Sequence, residues 1–347
     1  MSRILRNSAA SATLGLLIVL LLAVLGATHF GALVLDQSAW LFWLDTPDID
    51  MLAVSNRQIL WDIRLPRVLF AALIGASLGF SGALTQALFR NPLAEPGLLG
   101  ISSGAACAAA LSIVFLTQSQ ALGGAATHWL VLPLIAFSGA VLVCLLLDGV
   151  SRRWMAGSIA GLLLTGIAIN ALAGAVIGLC AYTATDSQLR SLTFWTLGTL
   201  SNASWTLVTV VSGLLVGVWV ATLGLVQRLN ALLLGENIAR HVGVCLPSLR
   251  LRVVLIVAAL AGFAVAFCGV IGFVGLVAPH LVRMTAGADL RRVLPLSAIG
   301  GAILLICADT LARTIAVPAE VPVGIFTALL GSSFFLWLLV RGKGRTA

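Results

Sequence analysis

The side chains able to do chemistry in this chain are few, and what they offer is recognition. Arg64 and Arg67 flank a proline in "RLPR". A guanidinium stays charged and grips a carboxylate in a fork, so such a pair suits an acidic partner; it equally anchors a helix end at a membrane interface. Arg313 stands four residues after Asp309, which puts both on one helix face, where an intrahelical ion pair competes with any outside partner. "LLGENIARHVGV", Leu233 to Val244, sets Glu236, Asn237, Arg240 and His241 between glycines. A helix this short is marginal in water and needs a surface to lie on, either a partner protein or the membrane. In "GLLLTGIAINALAGAVIGLC", Gly161 to Cys180, Thr165 and Asn170 are polar groups in an apolar run. They can line a passage that binds weakly, or make hydrogen bonds between helices. Arg190 follows Asp186 by four residues; it can pair with that carboxylate or draw in an anion.

Catalysis and self-powered transport are disfavoured. The single lysine is Lys343, near the C-terminus, so no GxxxxGK[ST] phosphate loop exists and nucleotide hydrolysis would belong to a partner. Ion-driven transporters usually keep carboxylates within the membrane; within the apolar runs only Asp309 qualifies clearly. The six cysteines (Cys107, Cys144, Cys180, Cys245, Cys268 and Cys307) form no CxxC pair, and most read as small hydrophobes. His29, His128, His241 and His280 are scattered, as are Met155 and Met284, so no iron ligand set stands out. The net charge of +8 might suggest nucleic acid, but the basic residues sit at the ends of apolar runs, where they orient a membrane protein.

The elements that position these groups must be membrane helices. Of the 347 residues 60% are hydrophobic and 9% charged, against roughly 25% charged in soluble domains. Apolar runs near the 20 residues or so needed to span predict an all-α polytopic membrane protein with about ten transmembrane helices, at 11–30, 65–85, 93–116, 129–148, 157–181, 205–226, 250–270, 273–286, 293–315 and 321–340. The first run is long for a secretory signal and is expected to be retained. With both termini inside, only Arg57, Arg64, Arg67, Arg190 and Arg313 of the 20 basic residues fall outside, the expected bias. Six tryptophans (Trp40, Trp43, Trp61, Trp129, Trp195 and Trp205) then lie near the outer boundary. Three connecting segments stand out: Gly31 to Arg64, rich in aspartate; Thr183 to Trp205, where Leu189, Leu192, Trp195 and Thr199 predict an interfacial helix; and the inner Gln227 to Leu249. In "GFVGLVAPHLVRM", Gly272 and Gly275 predict close helix approach, Pro279 frees a carbonyl, His280 reads as a packed interfacial residue and Arg283 reaches the inner surface.

Three segments resemble one family, the membrane permeases of bacterial type II ATP-binding-cassette importers that serve cobalamin, ferric siderophores and haem. They are "RLPRVLFAALIGASLGFSGALTQALFRNPLAEPGLLGISSGA", "GVIGFVGLVAPHLVRM" and "ADTLARTIAVPAEVPVGIFTALLGSSFFLWLL". "NPLAEPGLLGISSGAA", "LRSLTFWTLGTLSNASW" and "ADTLARTIAVPAEVPVG" resemble the haem permeases most. The resemblance implies one permease domain over residues 1–347, a homodimer in the bacterial inner membrane with both termini cytoplasmic, two cytoplasmic ATPase subunits and a periplasmic haem-binding protein. Haem would be cargo, ATP would be used by the partner, and no cofactor would stay bound. It implies docking of the binding protein on Arg64, Arg67 and Arg313, ATPase coupling through Gly235, Glu236, Asn237, Arg240 and His241, and a path along the fifth and tenth spans. Thr165 and Asn170 would lie near that path, and Arg190 would meet haem propionates at its entrance. A siderophore or cobalamin importer, or an ion-driven secondary transporter, are the alternatives.

Overall fold

The computed structural model describes residues 2–31, 56–116, 128–154 and 159–342. The aspartate-rich stretch with Asp36, Asp45, Asp48 and Asp50, along with Trp40, Trp43, Met155 and Lys343, lies outside the described residues. The described chain is helical: α1 (Ser2–His29), α2 (Leu65–Phe89), α3 (Ile101–Leu111), α4 (His128–Trp154), α5 (Ile159–Thr183), α6 (Asp186–Leu197), α7 (Trp205–Leu223), α8 (Val226–Leu233), α9 (Glu236–His241), α10 (Leu246–Cys268), α11 (Val274–Ala286), α12 (Leu290–Thr314) and α13 (Val323–Gly342).

Among the described residues, six stretches are long and apolar enough to cross a bilayer: Asn56–Phe89, Leu130–Val150, Ala160–Thr183, Trp205–Leu223, Leu246–Cys268 and Leu290–Thr314. Thr13–His29, Ile101–Leu116 and Val323–Leu338 are apolar but shorter. The remaining expected span, 273–286, is α11; its 13 residues rise only about 20 Å against a hydrocarbon core of about 30 Å. The expectation of ten spans therefore resolves, among the described residues, into six long helices, three shorter ones and one partial helix.

Helix α2 is the axis of the fold. Every residue from Ser77 to Phe89 is buried, and the helix packs against α12, α11, α10, α7 and α1. Without water between membrane helices, close packing must supply the attraction, and small residues bring backbones together. A Cβ placed on Gly75, Gly79 or Gly82 would overlap the carbonyl oxygens of Gly301, Ser297 and Gly275 respectively. Gly275 meets its expected close approach, since a Cβ there would lie 3.0 Å from the Leu78 carbonyl oxygen, whereas Gly272 faces open space. Phe273 starts α11 in the left-handed region, at φ 66, and Gly331 of α13 leaves room for its ring.

A second group, α3, α4 and α5, leans on the first through α10. A short 3₁₀ turn, Pro96–Leu99, followed by Gly100 at φ 74, leads into α3. The interfacial helix expected after Thr183 is α6, opened by a capping box in which Thr185 accepts from the Gln188 amide and Gln188 accepts from the Thr185 amide. Leu192 is its buried anchor, while Thr199 falls beyond its end and donates its amide to the Cys268 carbonyl at 2.7 Å.

Candidate functional site

Two clusters of charged residues stand at opposite ends of the α2–α12 pair. At one end α2 begins, and α1 and α12 finish. Arg67 grips Asp309 with Nε at 3.1 Å and Nη2 at 2.9 Å, and holds Glu320 through Nη1 at 2.8 Å. Asp309 is buried, while the Glu320 side chain is 48% exposed. Arg313 stands 3.7 Å from Asp309, the expected i,i+4 pair, and its Nη2 donates to the Ala27 carbonyl. Arg64 donates to the Thr28 and His29 carbonyls at 3.0 and 2.9 Å. Arg64 and Arg313 thus cap the last carbonyls of α1, where cations are favoured by the orphan acceptors and the helix dipole. Both are buried; the three arginines stand together at this end, but only Arg67, at the Glu320 rim, borders solvent closely.

The other end is built from α8, α9 and the start of α12. Asn230 of α8 donates to Asp289 Oδ1 at 2.8 Å and accepts from the Leu290 amide at 3.1 Å; Asp289 caps α12 by accepting from the Arg291 amide. Helix α9 follows Gly235, whose φ of 131 suits glycine. Glu236, expected as a contact residue, turns inward to the largely buried Arg250 at 2.9 Å and lies 3.7 Å from Arg240. Asn237, Arg240 and His241 remain exposed as expected, with the His241 ring bonded to the Asn237 carbonyl at 2.7 Å. Leu234, Ile238 and Val242 are 71, 48 and 65% exposed. Ile238 is thus an exposed apolar residue on α9 itself, with Leu234 before the Gly235 break and Val242 just past the helix end; these apolar residues were overlooked beside the more conspicuous charges.

Between the ends, Gln86 of α2 accepts from Arg283 Nε at 3.1 Å and donates to the Leu276 carbonyl, so Arg283 ends inside the bundle rather than at a free surface. His280 packs edge-on against Phe334, with centroids 6.0 Å apart, and lies the same distance from Phe335, as a packed histidine should. Thr165 is buried and donates back to the Gly161 carbonyl at 2.8 Å. Asn170 accepts from Ser103 and donates to the Gly97 carbonyl at 3.3 Å, so it ties α5 to α3 and to the turn before it. Arg190 is exposed on α6 and, among the described residues, makes no ion pair with Asp186 or any other carboxylate. The outward face of α5 is apolar, with Leu164, Ile167, Leu172 and Leu179 exposed.

A profile of the FecCD transport family matches residues 15–341. The chain belongs to that family. It is accordingly a multi-pass membrane protein, the permease of a type II ATP-binding-cassette importer, a family that works with ATPase subunits and a periplasmic binding protein. It is 45% identical over 333 residues to the hemin transport system permease protein HmuU of Yersinia pestis, covering 94% of this chain and 95% of that one. It is 40% identical over 291 residues to the vitamin B12 import system permease protein BtuC of Yersinia pseudotuberculosis, covering 84% of each. A solved metal-chelate-type ABC transporter in an inward-facing conformation superposes with a TM-score of 0.80 at 30% identity, covering 98% of this chain and 100% of that one.

Proposed function

We propose that this chain is the membrane permease of an ATP-driven haem importer of the bacterial inner membrane, a single domain over residues 1–347 that works as a homodimer with both termini cytoplasmic. The observation that carries the cargo is the extent of the likeness to the Yersinia pestis hemin permease, 45% identity over 94% of this chain. The cobalamin permeases, at 40% over 84%, support the runner-up cargo.

The two ends divide the work. The arginine cluster is the docking end: Arg67 exchanges its exposed Glu320 for a carboxylate of the binding protein, while buried Arg64 and Arg313 hold α1 in place. The α9 end is the coupling end, where Leu234, Ile238 and Val242 fill an apolar groove on the ATPase and Asn237, Arg240 and His241 meet its rim. The apolar outward face of α5 lines the path with its twin in the second protomer. Weak, apolar walls suit passage of a flat macrocycle, because tight binding would slow release. Arg190, exposed on α6, draws the propionates toward the entrance.

Reconstitution tests the proposal. Proteoliposomes holding the permease and its ATPase, supplied with haem-loaded binding protein, are expected to accumulate a Soret absorbance with ATP and none without it. Cobalamin uptake in place of haem would overturn the cargo, and uptake driven by an ion gradient without the ATPase would overturn the mechanism.

A further inference from the structure

We infer that the coupling end of the bundle carries a binding site for an anionic phospholipid, in a groove formed by α2, α7 and α12. A pocket of about 350 Å³ lies where α7 ends and α12 begins, lined by Phe80, Trp219, Leu223, Gln227, Arg291 and Leu294 among others. A second, of about 270 Å³, shares Phe80 and Trp219 and continues along α7 past Leu215 and Val218, with Ala298 of α12 on its other side. The Phe80 and Trp219 rings, with centroids 5.7 Å apart, form the common floor. The two adjoin at these rings, and among the described residues the charged side chain in their lining is Arg291.

That end is polar in a particular way. The Arg291 side chain is exposed and makes no ion pair or hydrogen bond among the described residues. The nearby acid, Asp289, accepts from Asn230 and from the Arg291 backbone amide and forms no ion pair with the Arg291 side chain among the described residues. Helix α8, which begins the pocket's wall with Val226 and Gln227, buries Leu229 and Leu232 and exposes Arg228, the pattern of a helix lying in the headgroup layer. A chain that spans the membrane must present this groove to lipid or cover it, and a groove with an apolar length and a cationic mouth matches an acyl chain joined to a phosphate. A zwitterionic lipid fills the same channel but leaves Arg291 less well matched.

Trp219 is the reporter. Wild type and Trp219→Phe are reconstituted as full-length protein in nanodiscs containing a small fraction of brominated phosphatidylglycerol or brominated phosphatidylcholine, and the difference in quenching between the two proteins isolates the groove. About fivefold preferential quenching by the anionic lipid is expected, the enrichment that one interfacial arginine provides. It should be competed by unbrominated phosphatidylglycerol and not by soluble glycerol phosphate. Arg291→Gln should reduce the preference toward unity, and Arg291→Lys should keep most of it. Equal quenching by the two brominated lipids, or a full preference surviving in Arg291→Gln, would overturn the inference. Since uptake of haem is not measured, the outcome is independent of the cargo.

Discussion

At the scale of single residues, Asp309 decides the outer cluster. It lies between Arg67 and Arg313 with its own side chain 2% exposed, so removing its charge leaves guanidiniums buried without a counter-charge. Asp309→Asn is expected to cost about 3–5 kcal/mol, read as a lower thermal midpoint in detergent. Glu320→Gln, at the exposed rim, should cost under about 1 kcal/mol; a comparable loss in both variants would contradict the division between core and rim. Arg190→Ala is expected to slow haem uptake without changing assembly, and full uptake by that variant would remove Arg190 from the entrance. The sequence made the Asp309–Arg313 pair legible because it is local, four residues along one helix. It could not announce Arg67–Asp309, two groups 242 residues apart, because nothing in a linear pattern encodes which helix ends meet.

At the scale of elements, the seam between α2 and α12 depends on missing side chains. Gly79→Leu would drive a side chain into the Ser297 carbonyl, a worse overpacking than the extra methylenes that typically cost about 1–3 kcal/mol. It is expected to abolish recovery of folded permease on size exclusion. Gly217→Ala on α7, where a Cβ meets nothing within 4 Å, should leave recovery unchanged. On α9 the exposed Ile238 is expected to hold the ATPase: Ile238→Asp should lose ATPase co-purification by tenfold or more while the permease itself stays folded. Helix periodicity and length placed most of the long helices correctly. It placed α11 within a residue of its start, though 13 residues are fewer than a full crossing needs, and it placed α9 between its glycines, but it missed α8, whose two turns are too short a pattern to stand apart from a loop.

At the scale of the molecule, α12 joins the proposed work at both ends. Asn230 fixes its start to α8, and Asp309 and Arg313 sit at its finish, so a displacement at the ATPase is delivered about 37 Å away by one helix of 25 residues. Asn230→Ala is expected to let the ATPase bind and hydrolyse while transport falls several-fold, measured as haem delivered per ATP consumed. An unchanged ratio would show that the tie is not part of the stroke. Overall architecture was legible because lipid imposes length and apolarity on every spanning element; partner surfaces were less so, because they are chosen by what lies beyond the chain.

At Gly75, Gly79 and Gly301 backbone lies directly on backbone between α2 and α12, and along that line there are no rotamers to exchange and no cushion of methyl groups to slide across. Such a contact behaves like a keel. Gating strain would be shed to the outlying helices, and a drug or mutation that wedges open this line should stall the machine rather than retune it.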